Sequence, residues 1–162
     1  MKVGVLSDTH VATLAQGHQL AEKLLAGPFS EVVCILHAGD HVHPEIELCF
    51  APRSWYAVRG NMDRLHVCLP EKRIIRLNDW RIGITHGWGG SDDVLDNVIN
   101  SFSGDMPDVL VFGHSHVPEC RRIGSTLLLN PGSPTEPRSA SGPTVGILTI
   151  DDHVSGEIVS LI

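Results

Sequence analysis

No stretch of the sequence approaches the ~20 consecutive apolar residues that a membrane-spanning helix requires, although 42% of its 162 residues are hydrophobic. A helical membrane protein is excluded, and a soluble globular chain is expected. No secretory leader is expected from the opening "MKVGVLSDTH" either, which turns polar at Ser7, too early for a signal-peptide apolar region, with no cleavage site following. The four cysteines, Cys34, Cys49, Cys68 and Cys120, form no CxxC pair, so they are expected to be reduced thiols of a cytoplasmic protein. Positive charge is scarce. A formal net charge of −7 opposes binding to long nucleic acid, which needs clustered Lys and Arg. Repeats, linkers and low-complexity tracts are absent too, which leaves one expected domain over residues 1–162. A chain of this size buries roughly 70% of its unfolded surface and needs no disulfides. A homo-oligomer is left open.

Histidine is abundant instead: ten residues, against twelve Lys plus Arg. That supply points to metal or proton chemistry, and its distribution follows the expected strands. Val3 to Leu6 and Val32 to Leu36 are short, partly β-branched runs that stop at "SDTH" and "HAGDH". Between them "TLAQGHQLAEKLLAG" has helical spacing and ends at Gly27-Pro28. Pro44 opens a short helix to Phe50, and Trp55 to Val58 is a strand delivering the chain to Gly60-Asn61. "KRIIRLNDWRIGITHG" predicts a hairpin turning at Asn78-Asp79 and ending at His86. A helix follows, with Ser91 as the expected N-cap and Val94, Leu95, Val98, Ile99 and Phe102 on one apolar face. "DVLVFGHSH" predicts a buried strand ending in two histidines, and the last third predicts only strands.

Five strand ends therefore carry candidate metal ligands: Asp8 with His10, Asp40, Asn61, His86, and His114 with His116. In an open α/β sheet, ligands bind just beyond the carboxyl ends of strands, so residues distant in sequence can converge there. The D-x-H and H-x-H spacings would put both side chains on one side of an extended segment. Nitrogen and oxygen donors without thiolate suit Mn, Fe, Zn or Ni, while the histidines argue against a pure Mg or Ca site. Two divalent ions held by Asp8 and Asp40 with a bridging hydroxide keep a net positive charge, which favours an anionic substrate on an acidic protein. Hydrolysis at phosphorus is the natural reaction of such a pair.

In order, D-x-H at Asp8 and His10, GD at Gly39-Asp40, GN at Gly60-Asn61, HG at His86-Gly87 and GHSH at Gly113 to His116 resemble the blocks of the calcineurin-like metallophosphoesterases. The likeness covers nearly the whole chain. The short length, the GNxD form of the third block and "NPGSPTEPR" at 130 to 138 resemble the small prokaryotic phosphodiesterase subgroup, to which the retromer vacuolar-sorting subunit is also related. The resemblance implies an α/β fold, a four-layer αββα sandwich of two mixed β-sheets flanked by helices. It implies two divalent transition-metal ions, manganese first, with nickel, iron and zinc as alternatives. Asp8, His10, Asp40 and His116 would hold one ion; Asp40, Asn61, His86 and His114 would hold the other. It implies attack of a metal-bridging hydroxide on a small phosphodiester, with Asn61 and His114 at the reacting centre. The competing reading is a catalytically weak or inactive interaction scaffold on the same fold.

Two positions depart from the family pattern. Larger members keep a histidine after the Asn that acts on the leaving-group oxygen, but here Met62 stands there, and a thioether has no acidic proton. Asp63 is the candidate general acid in its place, if the site raises its pKa; alternatively it pairs with Arg59 or Arg64. Many relatives carry a second histidine soon after the first, where this chain has Trp88. His37 is expected as a packed strand residue, the ligand set is complete without His41 and His43, for which contact with substrate or a ligand is the lesser alternative, and His18, His66 and His153 are expected at the surface. Asn130, Gly132 and Ser133 are expected in a structural turn near the site, where a backbone group or Arg138 could orient a ligating histidine.

Overall fold

The structure is a computed structural model that describes residues 1–64 and 68–162; His66 lies outside them. Two five-stranded sheets form its centre. The first contains β1 (Lys2–Leu6), β2 (Val32–His37), β3 (Ser54–Ala57), β9 (Thr144–Ile150) and β10 (Val154–Ser160), in the order β10-β9-β1-β2-β3. The second contains β4 (Lys72–Leu77), β5 (Trp80–Thr85), β6 (Val109–Val111), β7 (Glu119–Ile123) and β8 (Thr126–Asn130), in the order β4-β5-β6-β8-β7. Both are mixed. β1, β2 and β3 run parallel in the first, with β9 antiparallel to β1 and β10 antiparallel to β9, so the parallel β3 forms one edge; β5, β6 and β8 run parallel in the second, with antiparallel β4 and β7 at its two edges.

Period-two alternation divides each central strand between two cores. Val3 and Val5, Cys34 and Leu36, Val109 and Val111, and Leu127 and Leu129 meet between the sheets. The intervening Leu6 and Ile35 pack with Leu20, Leu24 and Phe50, under α1 (Leu14–Ala26) and a short 3-10 helix (Ile46–Phe50). Leu110 and Leu128 face α2 (Val94–Ser101) through Val94, Val98 and Phe102. The layers therefore run helix, sheet, sheet, helix, as the resemblance implied. Among the described residues no helix is long and apolar enough to cross a membrane.

Thr13 closes the start of α1 with a capping box to Gln16, satisfying free N–H groups of the first turn. The expectation for α2 needs correction. Its helix starts at Val94 rather than after Ser91, because the Gly90 carbonyl accepts the N–H groups of both Asp93 and Val94 in a preceding turn. Ser91 caps nothing, and it is left exposed.

Candidate metal centre

Parallel strands end on a common edge, and this orientation assembles the site. β1, β2 and β3 deliver Asp8, His10, Asp40 and Asn61; β5 and β6 deliver His86, His114 and His116. Hydrogen bonds join the two sheets at that edge. The His114 N–H donates to Asp8 Oδ2 at 3.0 Å, His86 Nδ1 donates to the Ala38 carbonyl at 2.7 Å, and Ser133 Oγ donates to the Asp8 carbonyl at 2.7 Å.

All seven expected ligands converge. His116 Nε2 lies 3.3 Å from His10 Nε2 and 3.3 Å from Asp8 Oδ1, while His10 Nε2 is 3.7 Å from Asp40 Oδ2. On the other side, His86 Nε2 is 3.4 Å from Asp40 Oδ2, 3.0 Å from Asn61 Oδ1 and 3.4 Å from His114 Nδ1. Asp40 Oδ2 thus lies near both groups. Asp8 does too, with Oδ1 3.8 Å from His86 Nε2. Two triads, Asp8 with His10 and His116, and Asp8 with Asp40 and His86, have donor atoms close enough to share an ion.

The orientation of the imidazoles tests whether a metal fits. His116 Nδ1 donates to the Glu136 carbonyl at 2.6 Å, and His114 Nε2 donates to the Gly89 carbonyl at 3.1 Å. With the bond from His86 to Ala38, three histidines each fix one nitrogen as a backbone donor and turn the other, as a lone pair, into the site. Those lone pairs face carboxylate and amide oxygens, an arrangement of acceptors against acceptors that a cation or added protons must reconcile. Asp8 Oδ1, buried in the same cluster, has no hydrogen-bond partner among the described residues. The donor set fits divalent transition ions.

Without a metal, protons do part of this work. Burial opposes charging of His86 and His116, yet His86 is raised above the ordinary histidine value by its hydrogen bond to Asp40 and by the Asp8 and Asp40 charges, and His116 by Asp8 and the Glu136 carbonyl. Asp40 is held below the usual carboxylate range: burial opposes this, but the His86 contact and the Met62 N–H outweigh it.

The D-x-H and H-x-H segments are not extended. Asp8, His10, Asp40, His114 and His116 all have positive φ, between 43° and 70°. Such backbone is uncommon for residues with a Cβ and gathers at functional sites. The expected same-side alternation is therefore corrected: left-handed turns, not a straight strand, aim each pair. Close approach also explains two glycines. A Cβ at Gly60 would sit 2.2 Å from Asp40 Oδ1, and one at Gly113 would sit 1.8 Å from Ser7 Oγ.

Asp63 is not placed as a general acid. Only 1% exposed, its Oδ2 accepts the N–H groups of Asp40 and Gly60 and His41 Nδ1–H, while Oδ1 accepts the Val42 N–H. Burial works against ionisation, but the His41 hydrogen bond and charge, with the Val42 and Gly60 donors, hold the carboxyl well below the usual carboxylate range. A group enclosed by four donors carries no proton to give, and it pairs with neither Arg59 nor Arg64. The partner that sequence reasoning missed is His41. It is fully buried, stacked on His37 with ring centroids 3.7 Å apart. His37 is packed at the end of β2, accepting the Gly39 N–H and meeting Thr9 Oγ1 at 3.0 Å. His43 accepts the Glu45 N–H, while His18 and His153 are exposed.

The turn after β8 supports the same edge. Buried Asn130 donates to the Gly113 carbonyl and Ser115 Oγ, and its Oδ1 accepts the Gly132 N–H. The Glu136 carbonyl orients the His116 ring, and the Arg138 N–H donates to the His116 carbonyl at 3.3 Å. The cysteines are all free thiols; burial pushes Cys34 up to about 11, which makes it inert.

Comparison with known proteins agrees with this geometry. Residues 1–153 match the calcineurin-like phosphoesterase superfamily domain. The chain belongs to that superfamily. It is 37% identical over 166 residues, 98% of this chain and 92% of the other, to "Probable metallophosphoesterase" of Methanothermobacter thermautotrophicus. It is 28% identical over 178 residues, 98% of this chain and 99% of the other, to a phosphodiesterase of Methanocaldococcus jannaschii. Among solved structures, wild-type Vps29 of Entamoeba histolytica complexed with zinc matches with a TM-score of 0.68 and 26% identity, covering 100% of both chains. The protein is thus a metal-dependent phosphoric ester hydrolase, and the edge described above carries its candidate metal-ligand groups.

Two cavities open beside this phosphoesterase centre. One, of about 430 Å³, is lined by Asn61 and His86 together with Arg59, Arg64, Glu71 and Trp88. The other, of about 480 Å³, is lined by His114 with Gly89, Ser91, Ser115, Val117 and Arg138. The 87–91 segment contributes to both.

Proposed function

We propose that this phosphoesterase is a phosphodiesterase that hydrolyses small phosphodiesters with two divalent transition-metal ions, manganese the first candidate. Asp8, His10, Asp40 and His116 would hold one ion, and Asp40, Asn61, His86 and His114 the other. When bound, such a pair supplies a water of lowered pKa and positive charge for the oxygens around phosphorus. The chain's own residues do the rest. Ala38, Glu136 and Gly89 keep the imidazoles turned inward through their carbonyls, and Asp63 locks the Asp40 backbone. With Asp63 enclosed and Met62 without an acidic proton, water entering the open cavities protonates the leaving alkoxide.

The observation that carries the diester reading is the pair of cavities. One shares His86 and the other His114, whose ring nitrogens lie 3.4 Å apart. A phosphorus atom over these residues would have a separate outlet for each of two ester arms, whereas a monoester needs only one. The name of the Methanocaldococcus relative supports the same reading. With every expected ligand present, nothing at the site favours the scaffold alternative.

The test is hydrolysis by manganese- or nickel-loaded protein of bis(p-nitrophenyl) phosphate against p-nitrophenyl phosphate. The diester should be preferred, and Asp40→Asn should lose about a hundredfold in rate or more. Preference for the monoester, or two inert substrates with Asp40→Asn behaving as wild type, overturns the proposal.

A further inference from the structure

Trp88 is a large apolar side chain left 51% exposed, yet the backbone under it is fixed. Its carbonyl accepts Asn97 Nδ2–H at 2.9 Å, and the next carbonyl, that of Gly89, accepts from His114 Nε2 at 3.1 Å. Gly87 and Gly89 flank it with φ of 92° and 99°, values that let this short segment turn at either side of the tryptophan. The indole is therefore mounted on a segment anchored to one of the candidate ligands. It lines the 430 Å³ cavity that begins at Asn61 and His86, and that volume lies within the ~300–1,000 Å³ usual for small-molecule sites.

Four charged side chains, Arg59, Asp63, Arg64 and Glu71, also line it. Arg59 Nη2 is held by Glu71 Oε1 at 2.8 Å, while the Arg64 guanidinium is exposed and has no ion pair among the described residues. Asp63 also lines the cavity, but its charge is answered by His41 and three backbone N–H groups. Among the described residues Arg64 is thus a cation without an ion-pair partner, on a chain whose net charge is −7. A flat π-face and an unpaired guanidinium at the edge of a phosphoesterase centre suit an arm that is both aromatic and anionic. An aliphatic arm such as glycerol would leave the indole uncovered and the arginine unanswered.

We infer that this cavity is the subsite for one arm of the diester and that the arm is a nucleotide, its base stacked on Trp88 and a further phosphate met by Arg64. This rests on the phosphoesterase centre proposed above and narrows its substrates to phosphodiesters with a nucleotide arm. Stacking of a base on an aromatic side chain is sequence-tolerant, so the subsite would take purine and pyrimidine arms alike.

Calorimetric titration of the metal-loaded protein tests it, with adenosine 5′-phosphate, adenosine 3′,5′-bisphosphate, phenyl phosphate and glycerol 3-phosphate as probes. Adenosine 5′-phosphate should bind about tenfold more tightly than glycerol 3-phosphate, and the bisphosphate more tightly again. Trp88→Ala should bring the first ratio close to one, Trp88→Phe should keep most of it, and Arg64→Gln should remove the advantage of the bisphosphate. Equal affinities for all four probes, a ratio that survives Trp88→Ala, or phenyl phosphate binding as well as adenosine 5′-phosphate would overturn the inference. Hydrolysis of bis(p-nitrophenyl) phosphate by the same preparation separates the two readings. If it proceeds while the probes bind alike, only the nucleotide subsite falls; if it fails, the phosphodiesterase reading falls with it.

Discussion

Asp63 Oδ2 accepts the backbone N–H of Asp40 at 2.8 Å, so the loop after β3 fixes the backbone of the candidate bridging ligand after β2. The same oxygen accepts the Gly60 N–H, and Oδ1 accepts the Val42 N–H, where Val42 has a φ of 73°. A β-branched residue holds that conformation only when its surroundings enforce it. The carboxylate acts as a clamp between two turns, with both of its oxygens taken up by donors.

If Asp63 is a clamp, Asp63→Asn should lower kcat and the melting temperature while leaving the basic limb of the pH–rate profile where it is. Exchanging one carboxylate oxygen for an amide NH₂ sets a donor against donors, and each lost charge-assisted bond is worth about 1.5–3 kcal/mol. Loss of the basic limb in a steady-state profile would return Asp63 to proton transfer.

The same carboxyl makes stability depend on pH in a predictable direction. In the folded chain it is held below the ordinary carboxylate value, which is about 3.9 for an unfolded Asp. Its contribution is therefore fully present at neutral pH and lost as pH falls below about 4, when the unfolded chain takes up the proton more readily. Urea unfolding in chelator should show wild type more stable than Asp63→Asn at pH 7, with the gap narrowing below pH 4. A constant gap would exclude the linkage.

Removing metal should destabilise the protein by mass action. An ion that binds only the folded chain, at a hundred times its Kd, adds about 2.7 kcal/mol. Thermal melts with manganese and with EDTA should differ accordingly, elemental analysis should find about two ions per chain, and Asp40→Asn should lose much of both effects. Identical melts and no bound ion would contradict the metal centre.

Gly113→Ala should disable the site without any change of ligand. The added carbon would lie 1.8 Å from Ser7 Oγ and 2.6 Å from Asp8 Oδ2, so the two sheets must part where Asp8 meets the His114 N–H. Overpacking of this kind costs about 1–3 kcal/mol. Calorimetric metal titration of the variant should show weakened binding; wild-type affinity would mean that the edge yields freely.

Asn130→Ala should act at a distance. It leaves the Gly132 N–H without its side-chain partner and the Gly113 carbonyl with the Ser115 N–H alone, at about 1–3 kcal/mol for the buried N–H left unsatisfied. Metal affinity should fall because the loop bearing His114 and His116 loses its support. An unchanged melting temperature together with unchanged affinity would contradict this.

The strands β1, β2, β6 and β8 were legible in the sequence as short apolar runs, because strands buried on both faces must be apolar on both. The candidate ligands were legible because each lies in the polar cluster that closes a strand, at Asp8, His10, Asp40, Asn61, His86, His114 and His116. The role of Asp63 was not: whether a carboxylate is enclosed by His41 and three N–H groups, or open to substrate, depends on residues up to 23 positions away. The same holds for Ser91, displaced from its expected cap by the Gly90 carbonyl.

The sequence by itself determined which groups can meet a metal, since only Asp, Asn and His at those strand ends have the donor atoms. Tertiary structure alone decided how they meet. Left-handed turns at Asp8, His10, Asp40, His114 and His116, and the carbonyls of Ala38, Gly89 and Glu136 that orient three imidazoles, are set by contacts between two sheets. Hydrogen bonds and close packing depend on distance in space, and the order of residues along the chain does not specify that distance.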